Sequence, residues 1–373
     1  MLLSIITINY NNAEGLCKTI ASVAAQTYPH IQHIIVDGNS TDGSVGIIRE
    51  YADNQAKGER LEAKDTDESK TDRENNPTQL YTTLHDSTPP KHRVLWVSEP
   101  DKGIYNAMNK GIEIALGRRV VNDDHTSCLL ASSPDRLIAS NENIQILNAG
   151  DILAAPDVTQ RMMTALEDKI KQQHQQHNIN NPSVVEQHTT TASENHTSSP
   201  NRLITSSPIQ NCPAIFYGNM TKVNAAGQVI GKSGYTEYSL RQFYSSTLNH
   251  DCAYIRKDLF EEYGLYDENL KIVSDWKWYL QAIGLGRVKP EYVDIDVTIF
   301  DAGGISETNL ELRNKERRQV LEELLPPAVL GDYDQHAFEV EQVNRLRRWH
   351  LYPLVYFMER VLFKLEKWGV LKR

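Results

Sequence analysis

Four acidic residues in this sequence of 373 residues follow runs that are typical of buried strands or precede a helix-like run. Asp37 ends the run HIIVD and opens VDGNSTDGS, Asp101 and Asp151 lie in SEPDKG and LNAGD, and Asp275 precedes WKWYL. A carboxylate at the end of a strand can accept hydrogen bonds from a base or a ribose. Each segment also has a purely structural interpretation, because Asp residues form Asx turns and cap helices.

Several other kinds of site are disfavoured by what surrounds these residues. No G-x-G-x-x-G follows the first strand, so a dinucleotide cofactor is not expected. The four cysteines contain no C-x-x-C pair, which argues against a thiolate zinc site and fits a reducing cytoplasm. The net charge of −10 and a pI near 5.7 exclude nucleic acid as the main partner.

Alternating strand-like and helix-like patterns indicate how the acidic residues are positioned. Short, apolar, mostly β-branched runs at 4–8, 33–37, 94–97 and 144–147 predict buried parallel strands. Apolar residues at helical spacing follow Asn12 and run from Ile104 to Ala115. This order predicts an α/β fold with a mostly parallel sheet, helices on both faces and ligands at the carboxyl ends of the strands.

Three polar segments interrupt this pattern, at about 53–92, 119–143 and 171–211. They contain too few apolar residues to offset the entropy of ordering, so we expect surface insertions. No run of about 18 apolar residues predicts a membrane span, and the first residues resemble a core strand more than a signal peptide. We therefore expect a cytoplasmic protein.

Four motifs follow one another in a specific order: SIITINYNN, VDGNSTDGS, SEPDKGIYNAMNKGI and LNAGD. In this order they resemble the family 2 glycosyltransferases of GT-A fold, and most of all the subset of bacterial surface-polysaccharide enzymes of the colanic-acid type. The resemblance covers about residues 1–52, 93–118, 144–170 and 212–306. It implies a GT-A domain over residues 1–306 that transfers a sugar, with inversion, from a nucleoside diphosphate to a glycan or lipid-linked acceptor.

The same resemblance implies a nucleotide site formed by Tyr10, Asp37 and Asp101. Many relatives carry a second Asp where this sequence has Gly38, so the choice between uridine and guanosine stays open, with UDP favoured over GDP. For Asp37, the alternative is a plain Asx turn.

LNAGD stands where the family carries its metal-binding carboxylates, and the resemblance therefore implies Mg2+ or Mn2+ at Asp151. Asn148 and Gly150 occupy positions where relatives often have Asp, which leaves Asp151 as the one charged ligand. One carboxylate with diphosphate oxygens and water still suits these ions.

The acceptor half of the family resemblance implies that Asp275 is the catalytic base, with a helix cap as the alternative role. His250 is expected beside the acceptor and the diphosphate, and Trp276 against a sugar ring, although a lone His or Trp is more often structural. Asn106 and Asn109 are expected to edge the sugar pocket or, alternatively, to form the solvated face of their helix.

The C-terminal extension, residues 307–373, has a different composition from the rest. Residues 341–373 contain eight Lys or Arg against three Glu, a net charge of +5, so the rest of the chain carries −15. From Pro353 a helical pattern places one apolar stripe opposite Arg360, Lys364 and Lys367. Such a helix lies on an anionic membrane surface on the inner face of the cell membrane, or packs against protein.

Two other functions stay open from the sequence. The first is a nucleotide-sugar-binding protein with weak or no transfer activity, because the metal motif lacks acidic residues. The second is a nucleotidyltransferase, although Asn9 to Gly15 does not supply the Gly-rich and basic phosphate loop that such an enzyme needs.

Overall fold

The computed structural model describes residues 1–57, 92–121, 142–180, 213–224, 226–304 and 308–368. The chain forms two compact units, Met1–Arg313 and Asn314–Arg373. The predicted division after residue 306 stays a prediction.

Residues 53–57 and 171–180, assigned above to insertions, extend two helices instead, because adding a residue to an existing helix gains a backbone hydrogen bond even where the side chains are polar. Residues 142 and 143, the last two of the second predicted insertion, belong to a strand that begins at Glu142. The remainder of the three insertions lies mostly outside the described residues.

The described residues contain nine strands, all in the first unit. They are β1 (Leu2–Asn9), β2 (Ile31–Asp37), β3 (Arg93–Ser98), β4 (Glu142–Ile146), β5 (Ile152–Leu153), β6 (Ile215–Val223), β7 (Val229–Lys232), β8 (Ala253–Arg256) and β9 (Glu291–Asp301).

Ten α-helices are found in the same described ranges. They are α1 (Ala13–Ala24), α2 (Ser44–Lys57), α3 (Ile104–Ala115), α4 (Val158–Asn180), α5 (Leu240–Ser245), α6 (Leu259–Glu262), α7 (Ser274–Tyr279), α8 (Leu310–Leu324), α9 (Pro327–Arg348) and α10 (Tyr352–Lys367). A π-helical segment, Leu280–Leu285, continues α7.

The strands form one sheet in the order β3-β2-β1-β4-β8-β6-β9-β5, with β7 paired to β6. Strands β3, β2, β1 and β4 are parallel, and their carboxyl ends therefore lie along one edge. Strand β8 runs antiparallel to both β4 and β6, and β9 pairs in parallel with β6. The predicted α/β class is confirmed, and the four predicted strands lie within two residues of their expected bounds.

Side-chain alternation along β1 places helices on both faces of the sheet. Ile5 belongs to a buried cluster that includes Met162 of α4. The next residue, Ile6, points to the opposite face, where it contacts Gly111 of α3. The predicted coverage of both faces therefore follows from these contacts.

Two helices begin directly after strand ends that carry predicted site residues. Helix α1 follows β1, and the side chain of its N-cap residue Asn12 accepts a hydrogen bond from the Gly15 N–H at 3.0 Å. Helix α3 follows β3 through Gly103, whose φ of 128° is accessible to glycine and not to other residues without strain. Both turns lie at the carboxyl edge of the parallel strands.

The second unit is helical in its described part, to residue 368. Helix α10 is unusual there because none of its side chains is buried, although most of them are apolar. Along the described residues, no helix has the combination of length and apolar content that crossing a membrane requires.

Candidate active site

Tyr10, Gly38 and Asp101 converge at the ends of β1, β2 and β3. A methyl group placed on Gly38 would lie 2.5 Å from Oδ2 of Asp101 and 3.0 Å from a ring carbon of Tyr10. The Asp101 carboxylate therefore lies beside the position that a side chain at residue 38 would occupy. Its Oδ1 accepts the Gly103 N–H at 2.9 Å, while no described residue donates to Oδ2. The Tyr10 side chain is 66% exposed, so its ring is free to stack.

Asp37 is buried, and protein groups already satisfy its carboxylate. Oδ1 accepts from the Asn9 amide at 2.8 Å and the Ser40 hydroxyl at 2.6 Å. Oδ2 accepts from the Ser40 N–H at 2.9 Å and the Ser98 hydroxyl at 2.7 Å. Burial alone would raise the pKa of Asp37, but these hydrogen bonds lower it below its usual value. This environment favours the Asx-turn alternative for Asp37 over direct contact with a base.

The LNAGD loop is held by helix α1. Thr19 Oγ1 accepts the Gly150 N–H at 2.9 Å and donates to the Asp151 carbonyl at 2.7 Å. Gly150 has a φ of 114°, which a side chain would strain, and the Asn12 amide donates to the Ala149 carbonyl at 2.9 Å. The sequence analysis missed Thr19, although a Thr on the buried face of a predicted helix is a usable signal.

Asp151 is buried beside a second carboxylate that the sequence analysis did not single out, Asp251. Burial and the charge of Asp251 raise the pKa of Asp151 well above its usual value. One Asp151 oxygen accepts the Asp301 N–H at 3.2 Å, and Asp251 accepts the Thr298 hydroxyl at 2.8 Å. Two neighbouring buried carboxylates favour a positive partner, and hard oxygen ligands suit Mg2+ or Mn2+. The residues thus fit such a cation, although within the described ranges no three His, Cys, Asp or Glu are grouped to hold one alone.

His250 lies between Asp275 and the LNAGD loop. Its Nδ1 is 3.1 Å from Oδ2 of Asp275, and its Nε2 is 3.2 Å from the amide nitrogen of Asn148. Burial opposes a charged imidazole, but the hydrogen bond and charge of Asp275, with Asp251 and Asp151 nearby, raise the pKa of His250 to about 9. A charged imidazole donates from both nitrogens, and Asn148 Oδ1 is buried without a partner among the described residues. Turning the Asn148 amide by 180° pairs the two groups.

Asp275 is the second residue of helix α7 and has a partner on each carboxylate oxygen. His250 occupies Oδ2, and the Tyr105 hydroxyl lies 2.8 Å from Oδ1. Burial would raise the pKa of Asp275, but these two hydrogen bonds and the charge of His250 lower it. The carboxylate is therefore ionised at neutral pH and able to accept a proton. Asp275 is not the N-cap residue of α7, since that position is Val273, although its carboxylate also accepts the backbone N–H of Trp276.

Asn106 and Asn109 bind protein groups. Asn109 exchanges two hydrogen bonds with the backbone of Tyr266, each at 2.9 Å, and both Asn side chains donate to the carboxylate of Glu268. Asn109 is buried, so it is not on the solvated face of its helix. These contacts attach α3 to the segment that precedes α7, and the role of Asn106 and Asn109 at the sugar pocket stays a prediction.

Trp276 is 2% exposed and its ring N–H donates to the Phe243 carbonyl at 2.9 Å. This burial favours the core alternative over stacking on a sugar ring, because a stacked ring needs one accessible face.

A cavity of about 1060 Å³ lies between α2 and β3, and its lining includes Asn39 and Ser98, next to the Asp37 turn. It is lined by Arg49, Trp96 and Glu99 among others, and contains none of the nine predicted site residues. The candidate site is therefore defined by the convergence of side chains at the sheet edge and not by this cavity.

Residues 4–70 match the profile of the family described as glycosyl transferase family 2. The chain is also similar to the uncharacterized glycosyltransferase Rv1514c of Mycobacterium tuberculosis, with 32% identity over 115 residues. That match covers 31% of this chain and 29% of the relative, so the matched region spans less than a third of the relative's length. The putative teichuronic acid biosynthesis glycosyltransferase TuaG of Bacillus subtilis is 44% identical over 50 residues, which are 13% of this chain and 20% of TuaG.

Two solved structures are similar at low sequence identity. S. aureus TarS 1-349 in complex with UDP-GlcNAc has a TM-score of 0.47 at 13% identity, covering 86% of this chain and 64% of that chain. The mannosyltransferase PcManGT of Pyrobaculum calidifontis, in complex with GDP-Man and Mn2+, has a TM-score of 0.44 at 12% identity and covers 97% of this chain and 80% of that chain.

Proposed function

We propose that this chain, whose N-terminal region belongs to glycosyl transferase family 2, transfers a sugar from a nucleoside diphosphate to a hydroxyl group of a glycan or lipid-linked acceptor. The observation that carries the proposal is the ionised Asp275 carboxylate, held between Tyr105 and His250. Through His250 and Asn148 it adjoins the LNAGD loop, which Asn12 in turn connects to the end of β1.

The proposed reaction inverts the anomeric carbon. Asp275 accepts the proton of the acceptor hydroxyl as its oxygen attacks the anomeric carbon from the side opposite the diphosphate. The new carbon–oxygen bond forms as the bond to the diphosphate oxygen breaks, and the electron pair leaves with the nucleoside diphosphate. The low pKa of Asp275 keeps the base deprotonated before each turnover.

Asp151 is the residue proposed to hold Mg2+ or Mn2+. When bound, such an ion neutralises the negative charge that develops on the departing diphosphate. The role of Asp151 is supported by its position next to Asp251 and by its pKa, which burial and the charge of Asp251 raise. His250 holds positive charge at the same place, so this part of the site favours an anionic leaving group.

The proposed donor is a UDP-sugar, recognised by Tyr10 and Asp101. The pairing edge of uracil has a single N–H donor, which needs only one acceptor oxygen. The pairing edge of guanine has two neighbouring donors, the ring N–H and the amino group, which suit both oxygens of a carboxylate. With Oδ1 of Asp101 bound to the Gly103 N–H, Oδ2 is the oxygen left for a base stacked on Tyr10. We therefore expect UDP to raise the thermal unfolding midpoint more than GDP.

The test of the proposed function is Asp275→Asn in a nucleotide-release assay with UDP-, GDP- and dTDP-sugars, with and without Mn2+. Loss of the base should lower kcat by about 10²- to 10⁴-fold, because general base catalysis contributes that much. Asp258→Asn is the matched control, since it removes a carboxylate that pairs with Arg256 at the start of α6. Unchanged transfer by the Asp275 variant would show that the base is wrongly assigned.

A binding protein without transfer activity is the alternative that this experiment separates. In that case UDP-sugars would stabilise the wild-type chain in thermal unfolding, yet no nucleotide would be released with any acceptor extract. The carboxylate held by two hydrogen bonds at Asp275 favours transfer, because a purely binding site has no need of a base.

We further propose that the product is a cell-surface polysaccharide and that α10 docks on the anionic inner face of the cell membrane. TuaG, named for teichuronic acid biosynthesis, is a relative consistent with this product class. Phe357 and Met358 on α10 and its C-cap residue Trp368 are more than half exposed, and a basic flank runs along Arg360, Lys364 and Lys367. An exposed apolar stripe beside positive charge is complementary to an anionic lipid surface.

A further inference from the structure

Tyr105, the second residue of α3, is buried at 4% exposure and reaches the proposed base. Its hydroxyl oxygen lies 2.8 Å from Oδ1 of Asp275 and 2.6 Å from the carbonyl oxygen of Ile272. A phenol has one proton, so the two acceptors share it. The ionised carboxylate is the stronger acceptor of the two, because charge-assisted hydrogen bonds exceed neutral ones.

The position of Tyr105 is fixed by its neighbours on the same helix. One turn further along α3, Asn109 exchanges a pair of hydrogen bonds with the backbone of Tyr266 and donates to Glu268. Asn106 donates to the same Glu268 carboxylate at 2.9 Å. Residues 266–268 precede α7 by only a few residues, so these contacts hold the start of α3 against the segment that leads to Asp275.

The Asp275 carboxylate is thereby held from two directions. Tyr105, on helix α3, is hydrogen-bonded to Oδ1 of Asp275, and Nδ1 of His250 lies 3.1 Å from Oδ2. Helix α3 follows β3, one of the strands whose ends form the proposed nucleotide site. Two further titratable groups, Tyr266 and Tyr279, are near enough to interact with the charge of Asp275. Fixing both oxygens sets the plane of the carboxylate, and hence the direction of the lone pair that takes the proton of an acceptor hydroxyl.

We propose that Tyr105 is a positioning residue for the Asp275 carboxylate. Through Tyr105, helix α3, which follows the strands of the proposed nucleotide site, sets the orientation of the base that faces the acceptor. This inference rests on the proposed function, in which Asp275 accepts the acceptor proton. Tyr105 is not a catalytic residue in this account, because its hydroxyl acts through the Asp275 carboxylate.

The test is Tyr105→Phe, which removes one oxygen atom and keeps the buried ring. We expect kcat to fall by about tenfold to 100-fold, the scale of losses that follow from small misplacements of a reacting group, while KM for the donor changes less than twofold. The acid limb of the pH profile should move to higher pH, because a carboxylate that loses a donor has a higher pKa.

Tyr28→Phe is the matched control. Tyr28 is also buried, at 5% exposure, and its hydroxyl donates to the backbone carbonyl of Met1 at 2.6 Å, outside the candidate site. It should leave kcat and the pH profile unchanged. Equal losses of kcat in both variants, or a wild-type pH profile for Tyr105→Phe, would overturn the proposal.

A measurement that needs no transfer separates this inference from the proposed function. The pKa of Asp275, followed by NMR of its carboxyl carbon, should rise in Tyr105→Phe whether or not sugar transfer is detected. A rise without any transfer by the wild-type chain would support the hydrogen bond and reject the proposed function. An unchanged pKa would reject the positioning role even if Asp275→Asn were inactive.

Discussion

At the scale of single residues, the carboxylates of this chain differ most in how many protein donors they already have. Asp37 has four hydrogen bonds to its two oxygens, whereas Asp101 keeps one oxygen without a described donor. A saturated buried carboxylate organises a loop, and an unsaturated one is able to bind a ligand. This difference favours Asp101 over Asp37 for the proposed base contact, and Asp37 for a structural role in the turn between β2 and α2.

Asp37→Asn should therefore lower the free energy of unfolding by about 1–3 kcal/mol, because the new amide N–H groups meet the donors of Ser40 and Ser98. Urea unfolding at neutral pH measures this loss. Asp168→Asn, an exposed change on α4, should cost less than about 0.5 kcal/mol. A loss of UDP-binding free energy in Asp37→Asn that far exceeds the loss in free energy of unfolding would contradict the structural role.

The pH dependence of the Asp37 effect has a definite sign. Its pKa is lowered in the folded chain, so its contribution to stability is complete above the unfolded pKa of about 3.9 and is lost as the pH falls through the folded value. The difference between wild type and Asp37→Asn should thus shrink below about pH 4. A difference that grows on acidification would mean that the carboxylate is not held by these donors.

Residue roles were only partly predictable because most partners are distant in the sequence. The order of motifs indicated Asp101, Asp151 and Asp275, and these roles stay predictions. One of the four hydrogen bonds to the Asp37 carboxylate comes from Ser98, which follows it by 61 residues, and no local sequence pattern predicts that bond. The contact between Tyr105 and Asp275 spans 170 residues, so it is readable only from the fold.

At the scale of elements, the close approach of α3 to the sheet depends on one glycine. A methyl group on Gly111 would overlap Cγ2 of Ile6 on β1 and meet Cγ2 of Val36 on β2 at 3.5 Å. Because the overlapped neighbour lies on a central strand, the helix must move away to accept a side chain. Such a shift would also displace the start of α3, where Tyr105 lies.

Gly111→Ala should lower the free energy of unfolding by about 1–3 kcal/mol, the usual cost of overpacking a filled core. Gly46→Ala on α2 is the matched control, because a methyl group there meets no atom within 4 Å. That control should raise stability by up to about 1 kcal/mol, since alanine favours a helix more than glycine does. Chemical denaturation of both variants gives the comparison, and equal effects would disprove the packing argument.

Elements were more predictable than side-chain roles because apolar periodicity is local. The run from Ile104 to Ala115 has the bounds of α3, and the four predicted strands were found in their parallel order. The polar ends of α2 and α4 were assigned to insertions, since their composition resembles a solvated segment. The antiparallel part of the sheet, β8 with β4 and β6, is set by long-range pairing that no short window shows.

At the scale of the whole molecule, charge is unevenly distributed along the chain. The last 33 residues carry +5 and the rest −15, so an anionic bilayer attracts this C-terminal segment, which contains α10, and repels most of the remaining surface. Binding to an anionic membrane should therefore depend on the basic residues of this segment and decrease at high salt.

Lys364→Glu with Lys367→Glu should weaken binding to phosphatidylglycerol-containing vesicles by roughly 30-fold or more, from about 1 kcal/mol for each basic residue. Vesicle co-sedimentation at two salt concentrations measures this change. Lys18→Glu with Lys171→Glu alters the same charge on exposed positions of α1 and α4 and should have little effect. Equal binding to neutral phosphatidylcholine vesicles would indicate that charge does not direct docking.

The uncovered stripe of α10 has a practical consequence for the purified protein. In a detergent-free buffer, the exposed apolar side chains of one molecule can be buried against those of another. The free energy that favours this self-association grows with the exposed apolar area. Sedimentation behaviour should then vary with dilution, and specific activity measured in concentrated stocks should understate what the isolated chain can do. Mild surfactant, by occupying the stripe, would restore a linear relation between enzyme added and product formed.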